Sequence, residues 1–298
     1  MSHSPQRPSD QHLVRVLTRA ADQHREKGEY AEAEQLYVRA LELAESAFGP
    51  EHEESSTVCN NLAVLYKYTG KFDEAERLYR RALQIVEREF GSDHTEVATI
   101  YHNLSGLEHA RGRYTEGEPF ARRSVEIRER ALGPDHVDVA ADLAALAAIL
   151  DGQKRYDESE PLYHRALAIF ERAYGEEHYE VAVNLNNLAA VYYARGKWTE
   201  AEGLYRRALA LKEKLLGLEH PDVAMTLNNL AVLKKAHGKR EEAAELFERA
   251  LAIFERVLDP NHPKVIMCRE NYARLGLSGH LTQQPGSSEA PLPHDGSN

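Results

Sequence analysis

A histidine returns at one interval along this chain: His52, His94, His136, His178, His220 and His262 stand 42 residues apart. Histidine in a regular pattern invites metal chemistry, but a metal draws its ligands to within about 2 Å of one point. Equivalent residues of successive repeats are instead separated by about the advance of a helix pair, roughly 10 Å per helix. The six histidines cannot share an ion, and neither a metal site nor a cofactor is predicted. Their surroundings, FGPEHEE, FGSDHTE, LGPDHVD, YGEEHYE, LGLEHPD and LDPNHPK, place each at the first turn of a helix, where a ring nitrogen fastens the turn.

The other reactive side chains follow the repeat as well. Cys59 takes a position filled elsewhere by Tyr101, Leu143, Leu185 and Leu227, and the single Trp198 takes that of Phe72, Tyr114 and Tyr156; both are assigned to packing. Carboxylates recur on one helix and at its start, as solvated faces and helix ends require. There is no HExxH and no glycine-rich phosphate loop. No catalytic residue is predicted and the chain is not read as an enzyme.

The asparagines differ. Asn61, Asn103, Asn187 and Asn229 hold one register, preceded by Asn60, His102, Asn186 and Asn228, although asparagine is a poor helix-interior residue with donors and acceptor to satisfy. Two readings stand: the amides pair with the backbone of an extended peptide, or they bond between repeats. In the fourth repeat Ala141, Ala145 and Ala148 take the same face and Gly152 extends it. Such a small apolar floor either leaves room for one bulky ligand side chain or lets helices pack closely.

These residues must be positioned by helices. An uninterrupted interval marks each 42-residue segment as one copy of the same unit. Val97, Tyr101 and Leu104 recur at helical spacing in a first helix, A, and Ala75, Leu78, Tyr79, Ala82 and Val86 form the stripe of a second, B. Glycines at 28, 70, 112, 196 and 238 close helix A, and those at 49, 91, 133, 175 and 217 close helix B. Asp73/Glu76, Thr115/Glu118, Asp157/Glu160 and Thr199/Glu202 read as capping boxes opening helix B. Repeat four has Lys154 in place of the inter-helix glycine, and Gly152 two residues early, which predicts a shortened helix A or a displaced turn there. The reading is all-α, with six helix pairs at about 11–50, 53–92, 95–134, 137–176, 179–218 and 221–259 and a capping helix at about 263–276. Residues 1–10 are read as a disordered N-terminus, 11–276 as the array and 277–298 as a disordered, Pro- and Ser-containing tail.

A formal net charge of −11 argues against a nucleic-acid partner. No stretch approaches the roughly 18 apolar residues of a membrane span. Cys59 and Cys268, five repeats apart, are too distant for a disulfide. Together with a polar N-terminus, MSHSPQRPSD, this predicts a cytoplasmic protein with free thiols.

Within NNLAVLYKYTGKFDEAERLYRRAL at 60–83, Leu62, Ala63, Tyr66, Gly70, Phe72, Ala75, Tyr79 and Ala82 fall on the steps of the tetratricopeptide repeat, which this pattern resembles. The longer period and the combination of LNNLA, GKxxEAExLYxRAL and LGxxHPDVA resemble the tetratricopeptide domain of kinesin light chains, and stand-alone bacterial proteins carry similar repeats. The resemblance covers about 11–275 and implies a right-handed superhelical solenoid. In it the register of Asn61, Asn103, Asn187 and Asn229 faces a concave groove that takes a peptide or partner protein. Cargo peptides of kinesin light chains carry a tryptophan among acidic residues, so an aromatic anchor over Ala141, Ala145 and Ala148 is implied. Kinesin light chains join their motor heavy chain through a long heptad segment; about ten polar residues precede the array here, so that partner is not expected. The function read from the chain is a non-catalytic binding scaffold. The alternative is a cytoskeletal or membrane-linking adaptor acting through its outer surface.

Overall fold

The computed structural model describes residues 8–260 and 262–276. The assignments for residues 1–7 and 277–298 lie outside them. Among the described residues there are thirteen helices and no strand: α1 (Pro8–Glu26), α2 (Tyr30–Phe48), α3 (Glu53–Tyr68), α4 (Phe72–Phe90), α5 (Thr95–Ala110), α6 (Tyr114–Leu132), α7 (Val137–Gly152), α8 (Tyr156–Tyr174), α9 (Tyr179–Ala194), α10 (Trp198–Leu216), α11 (Pro221–Ala236), α12 (Arg240–Val257) and α13 (Pro263–Ala273). Odd-numbered helices are the A helices and even-numbered ones the B helices, with α13 the final A-type helix. The first helix opens at Pro8, inside the stretch read as a polar N-terminus. The chain folds as two compact units that divide after Gln153; α1–α7 belong to the first and α8–α13 to the second.

Small residues let the helices approach. Ala33 and Ala40 on α2, Ala75 and Ala82 on α4, Ala201 and Ala208 on α10, and Ala243 and Ala250 on α12 are all fully buried, so an added methylene there has nowhere to go. Between them a ring fills the space, from Tyr37, Tyr79, Tyr205 or Phe247. In the first unit α1, α3, α5 and α7 lie side by side in that order, as do α9, α11 and α13 in the second. The A helices of each unit thus form one continuous face.

The recurrent histidine is the N-cap of every A helix from α3 onward. Nδ1 accepts the amide N–H two residues on, at 3.2 Å for His52, His94 and His136, 3.3 Å for His178, and 3.1 Å for His220 and His262. That nitrogen must be unprotonated to accept. Phe48, Phe90 and Tyr174, at the end of the preceding B helix, stack on His52, His94 and His178, so the cap also pins consecutive helices together.

Two local expectations are corrected. The capping boxes do not form: α4, α6, α8 and α10 open at Phe72, Tyr114, Tyr156 and Trp198, with Lys71, Arg113, Arg155 and Lys197 as N-caps making no side-chain cap bond. Asp73, Thr115, Asp157 and Thr199 therefore fall inside the first turn. Glu76 instead accepts from Arg80 at 2.8 Å and Arg111 at 2.6 Å. Nor is α7 shortened: it has the same 16 residues as α3, α5, α9 and α11. Lys154 adopts a φ of 60°, in the left-handed region held by the glycines of the other repeats. This conformation costs a non-glycine residue about 1–2 kcal/mol. Gly152 serves another purpose, since a Cβ there would overlap the Tyr114 ring.

Candidate functional site

The A-helix face of the first unit is open along one register. Thr57 and Asn61 on α3, Thr99 and Gly106 on α5, and Ala141, Ala145 and Ala148 on α7 all retain solvent exposure, while Asn103 is 9% exposed. Side chains shrink along this face, from Asn61 and Val64 through Asn103 and Gly106 to Ala145 and Ala148. Tyr68, 46% exposed, stands at its edge with the Lys67 ammonium 5.5 Å from its ring centre.

A row of bases runs beside it. Arg25, Lys67 and His109 occupy the same repeat position on α1, α3 and α5. Lys67 reaches toward the next helix, its Nζ lying 3.5 Å from where a Cβ on Gly106 would stand. Burial among protein atoms, reinforced by the like charge of Arg25, pushes the Lys67 ammonium down to about 8. Burial, then the Lys67 charge, likewise lowers His109. A negative charge placed beside Lys67 would favour its charged form.

The amides themselves are bonded to one another. In the first unit Asn60 donates to Asn61 Oδ1 at 3.2 Å, and Asn103 donates to Asn60 Oδ1 at 2.8 Å. In the second unit the chain is longer: Asn186 donates to Asn187, Asn229 to Asn186 and Asn228 to Asn229, each at 3.4 Å, and Asn271 to Asn228 at 3.2 Å. These five amides link α9, α11 and α13. They are also enclosed, with Asn187 4% exposed and Asn186, Asn228 and Asn229 at 0%.

A polar cluster in the first unit has no forerunner in the sequence reading. Asp142 on α7 is fully buried, its Oδ1 2.7 Å from Nδ1 of His102 and 3.1 Å from Nη1 of Arg128, whose other amine donates to Thr99 Oγ1 at 2.9 Å. Its second oxygen has no hydrogen-bond partner among the described residues. The equivalent positions one repeat earlier hold the apolar pair Val86 and Ile100. Departure from an apolar pair at two repeat positions together was the signal available. Elsewhere, burial pushes the thiols of Cys59 and Cys268 up to about 11 and about 12, away from the thiolate form. No cluster of three potential ligands that could hold a metal occurs among the described residues. None of the described helices is long and apolar enough to cross a membrane.

Helix pairs repeated at one interval, with A helices sharing a face, define an all-α repeat solenoid. The tetratricopeptide repeat model matches residues 13–88, 60–116, 96–162, 144–214, 180–256 and 222–281, and the chain belongs to that family. Its repeats are of the kinesin-light-chain type. A putative kinesin light chain from Podosopora anserina, with nearly identical TPR-like repeats, is 27% identical over 69% of this chain and 98% of its own, at a TM-score of 0.56. BtubC (BKLC) from P. vanneervenii shares the fold at 23% identity over 95% of this chain and 98% of its own, also at 0.56. The Rap protein complexed with Competence and Sporulation Factor shares it at 14% identity and a TM-score of 0.62, over 88% of this chain and 74% of its own. No curated protein matches the chain. The fold is that of a protein–protein interaction scaffold, and its family is generally non-catalytic.

Proposed function

We propose that the chain is a non-catalytic, cytoplasmic scaffold that takes an extended acidic segment of a partner protein on the A-helix face of its first unit. The observation carrying this is the open register Asn61, Asn103, Ala141, Ala145 and Ala148 beside the row of Arg25, Lys67 and His109. Asn61 pairs with ligand backbone, while Asn103, buried and donating to Asn60, holds α5 to α3 beneath the ligand. A ligand carboxylate meets Lys67, and one apolar side chain rests over the three alanines. Asn187 and Asn229, enclosed and wired to their neighbours, are assigned to holding repeats together. The Rap complex with Competence and Sporulation Factor supports only the general point that helical repeats of this shape take partners.

The test is selection of binders from a displayed library of random short peptides, followed by titration of the enriched sequences. Acidic sequences should be enriched, and Lys67→Glu should weaken them by about tenfold or more, the cost of replacing a partly desolvated attraction by repulsion. Affinity should also fall as pH rises through about 8, where the ligand-free Lys67 loses its charge. Enrichment of basic or neutral sequences, or affinity indifferent to Lys67→Glu, would refute the assignment.

A further inference from the structure

One position of the A helix carries side chains of different bulk beside the groove between successive B helices in repeats two, five and six. In repeat two it is Tyr66, whose ring packs with Leu41, Leu62 and Leu78 and whose hydroxyl donates to Glu34 at 3.0 Å. In repeat five it is Tyr192, with its hydroxyl 3.0 Å from Nε2 of His164 and the Lys197 ammonium 4.6 Å from its ring centre. In repeat six the position is Lys234. Its Nζ makes a bond equivalent to that of Tyr66, to Glu202 at 2.6 Å, and a second to Glu242 at 2.7 Å.

A lysine stem is thinner than a phenol ring. The repeat-six equivalents of the leucines around Tyr66 are Leu209, Leu230 and Leu246, and here they line a cleft of about 350 Å³ between α10, α11 and α12. A cavity of about 150 Å³ already admits a benzene ring. The rim is acidic, with Glu213, Glu242 and Glu245 against Arg206 and Lys234. Glu213 and Glu242 are engaged with Arg249 and Lys234, whereas Glu245 makes no ion pair among the described residues and replaces the Arg77 of repeat two.

We infer that this cleft on the second unit is a docking site for an aromatic side chain of a partner protein, flanked in that partner by lysine or arginine. The chain's own Tyr66 and Tyr192 are the template for the bound ring: three leucines receive its faces. The carboxylate of Glu245 selects the basic neighbours. The site lies between B helices and is independent of the A-helix face proposed above, so either can fail alone.

The probes are three capped tripeptides, Lys-Tyr-Lys, Lys-Ala-Lys and Glu-Tyr-Glu, titrated into the full chain with methyl NMR detection at the leucines. Lys-Tyr-Lys should shift Leu209, Leu230 and Leu246 saturably, Lys-Ala-Lys should not, and Glu-Tyr-Glu should bind roughly five-fold more weakly, the scale of an exposed charge contact. Lys234→Tyr should abolish the response by filling the cleft from within, while thermal unfolding shows a chain at least as stable as before. Glu245→Arg, which restores the residue type of repeat two at an exposed site, should reverse the preference between the charged peptides. Absence of a saturable shift with Lys-Tyr-Lys, or a shift that survives Lys234→Tyr, would overturn the inference, as would a charge preference indifferent to Glu245→Arg.

Discussion

The two units hold the same asparagine register in different surroundings. In the second, five amides from Asn187 to Asn271 form one hydrogen-bonded chain across three A helices, and the four on α9 and α11 are closed off from water almost entirely. In the first, the chain runs from Asn61 through Asn60 to Asn103 and stops, because His102 stands where the next asparagine would be and turns to Asp142. Alanines follow at 144 and 145. An amide in a repeat is therefore not in itself a ligand contact. Whether it serves as one depends on whether a neighbouring amide has already engaged it and whether water still reaches it.

The largest effect should come from the charged junction that ends the ladder. Asp142→Ala leaves the Arg128 guanidinium, 11% exposed, without its carboxylate, and should cost the first unit about 3–5 kcal/mol in denaturant unfolding. The double change Arg128→Val with Asp142→Ile, copying the Val86 and Ile100 pair, should be neutral or stabilising. A small loss for the single variant would show that the junction is solvated and that the contrast between units is overdrawn. Next in size is Ala208→Leu on α10, where the alanine is fully buried. Overpacking should cost about 1–3 kcal/mol, and hydrogen exchange should quicken first in α9–α11 rather than uniformly.

The amides themselves come third. Asn229→Ala strands the Oδ1 of Asn186 and the Nδ2 of Asn228 and should destabilise by about 1–3 kcal/mol, while Asn61→Ala, at a solvent-exposed end of the shorter chain, should change stability by about 0.5 kcal/mol or less. Equal costs would erase the comparison. The smallest effect concerns α13, capped by His262. Burial, then the charge of Lys264, lowers His262 against an opposing pull from Asp259. The folded state thus binds its proton less readily than the unfolded chain. The cap's contribution is present above the ordinary histidine value of about 6.5 and is lost as pH falls through the folded value. Amide protection in α13 should decline over that interval, and protection constant down to pH 5 would contradict the cap's dependence on a neutral ring.

Much of this was legible because it repeats. A histidine in one register, an acceptor nitrogen and a helix start identify the cap without coordinates, and the closing glycines do the same for the turns. The capping boxes were misread because a side chain near a helix start has the same sequence signature whether it sits before the first turn or within it; α4 starts at Phe72, two residues too early for Asp73 to cap. Lys154 misled because the preference of this turn for glycine was taken as a requirement, whereas lysine holds the same left-handed φ at a modest cost. The junction of His102, Arg128 and Asp142 was missed for another reason: its members come from three helices, and only Arg128 and Asp142 taken together, where the preceding repeat has the apolar Val86 and Ile100, carry the signal. The enclosure of Asn187 and Asn229 could not be read at all, since their register is the same as that of Asn61.

The most direct test is to titrate one peptide, selected on the unmodified chain, against Ala145→Phe and Asn229→Ala. Ala145→Phe, which fills the floor of the first unit's face, should weaken binding by about tenfold or more with little change in unfolding midpoint. Asn229→Ala should lower the midpoint and leave affinity at a temperature where the chain is folded unchanged. Binding lost in Asn229→Ala and preserved in Ala145→Phe would place the ligand on the second unit's amides and contradict a site on the first unit's face.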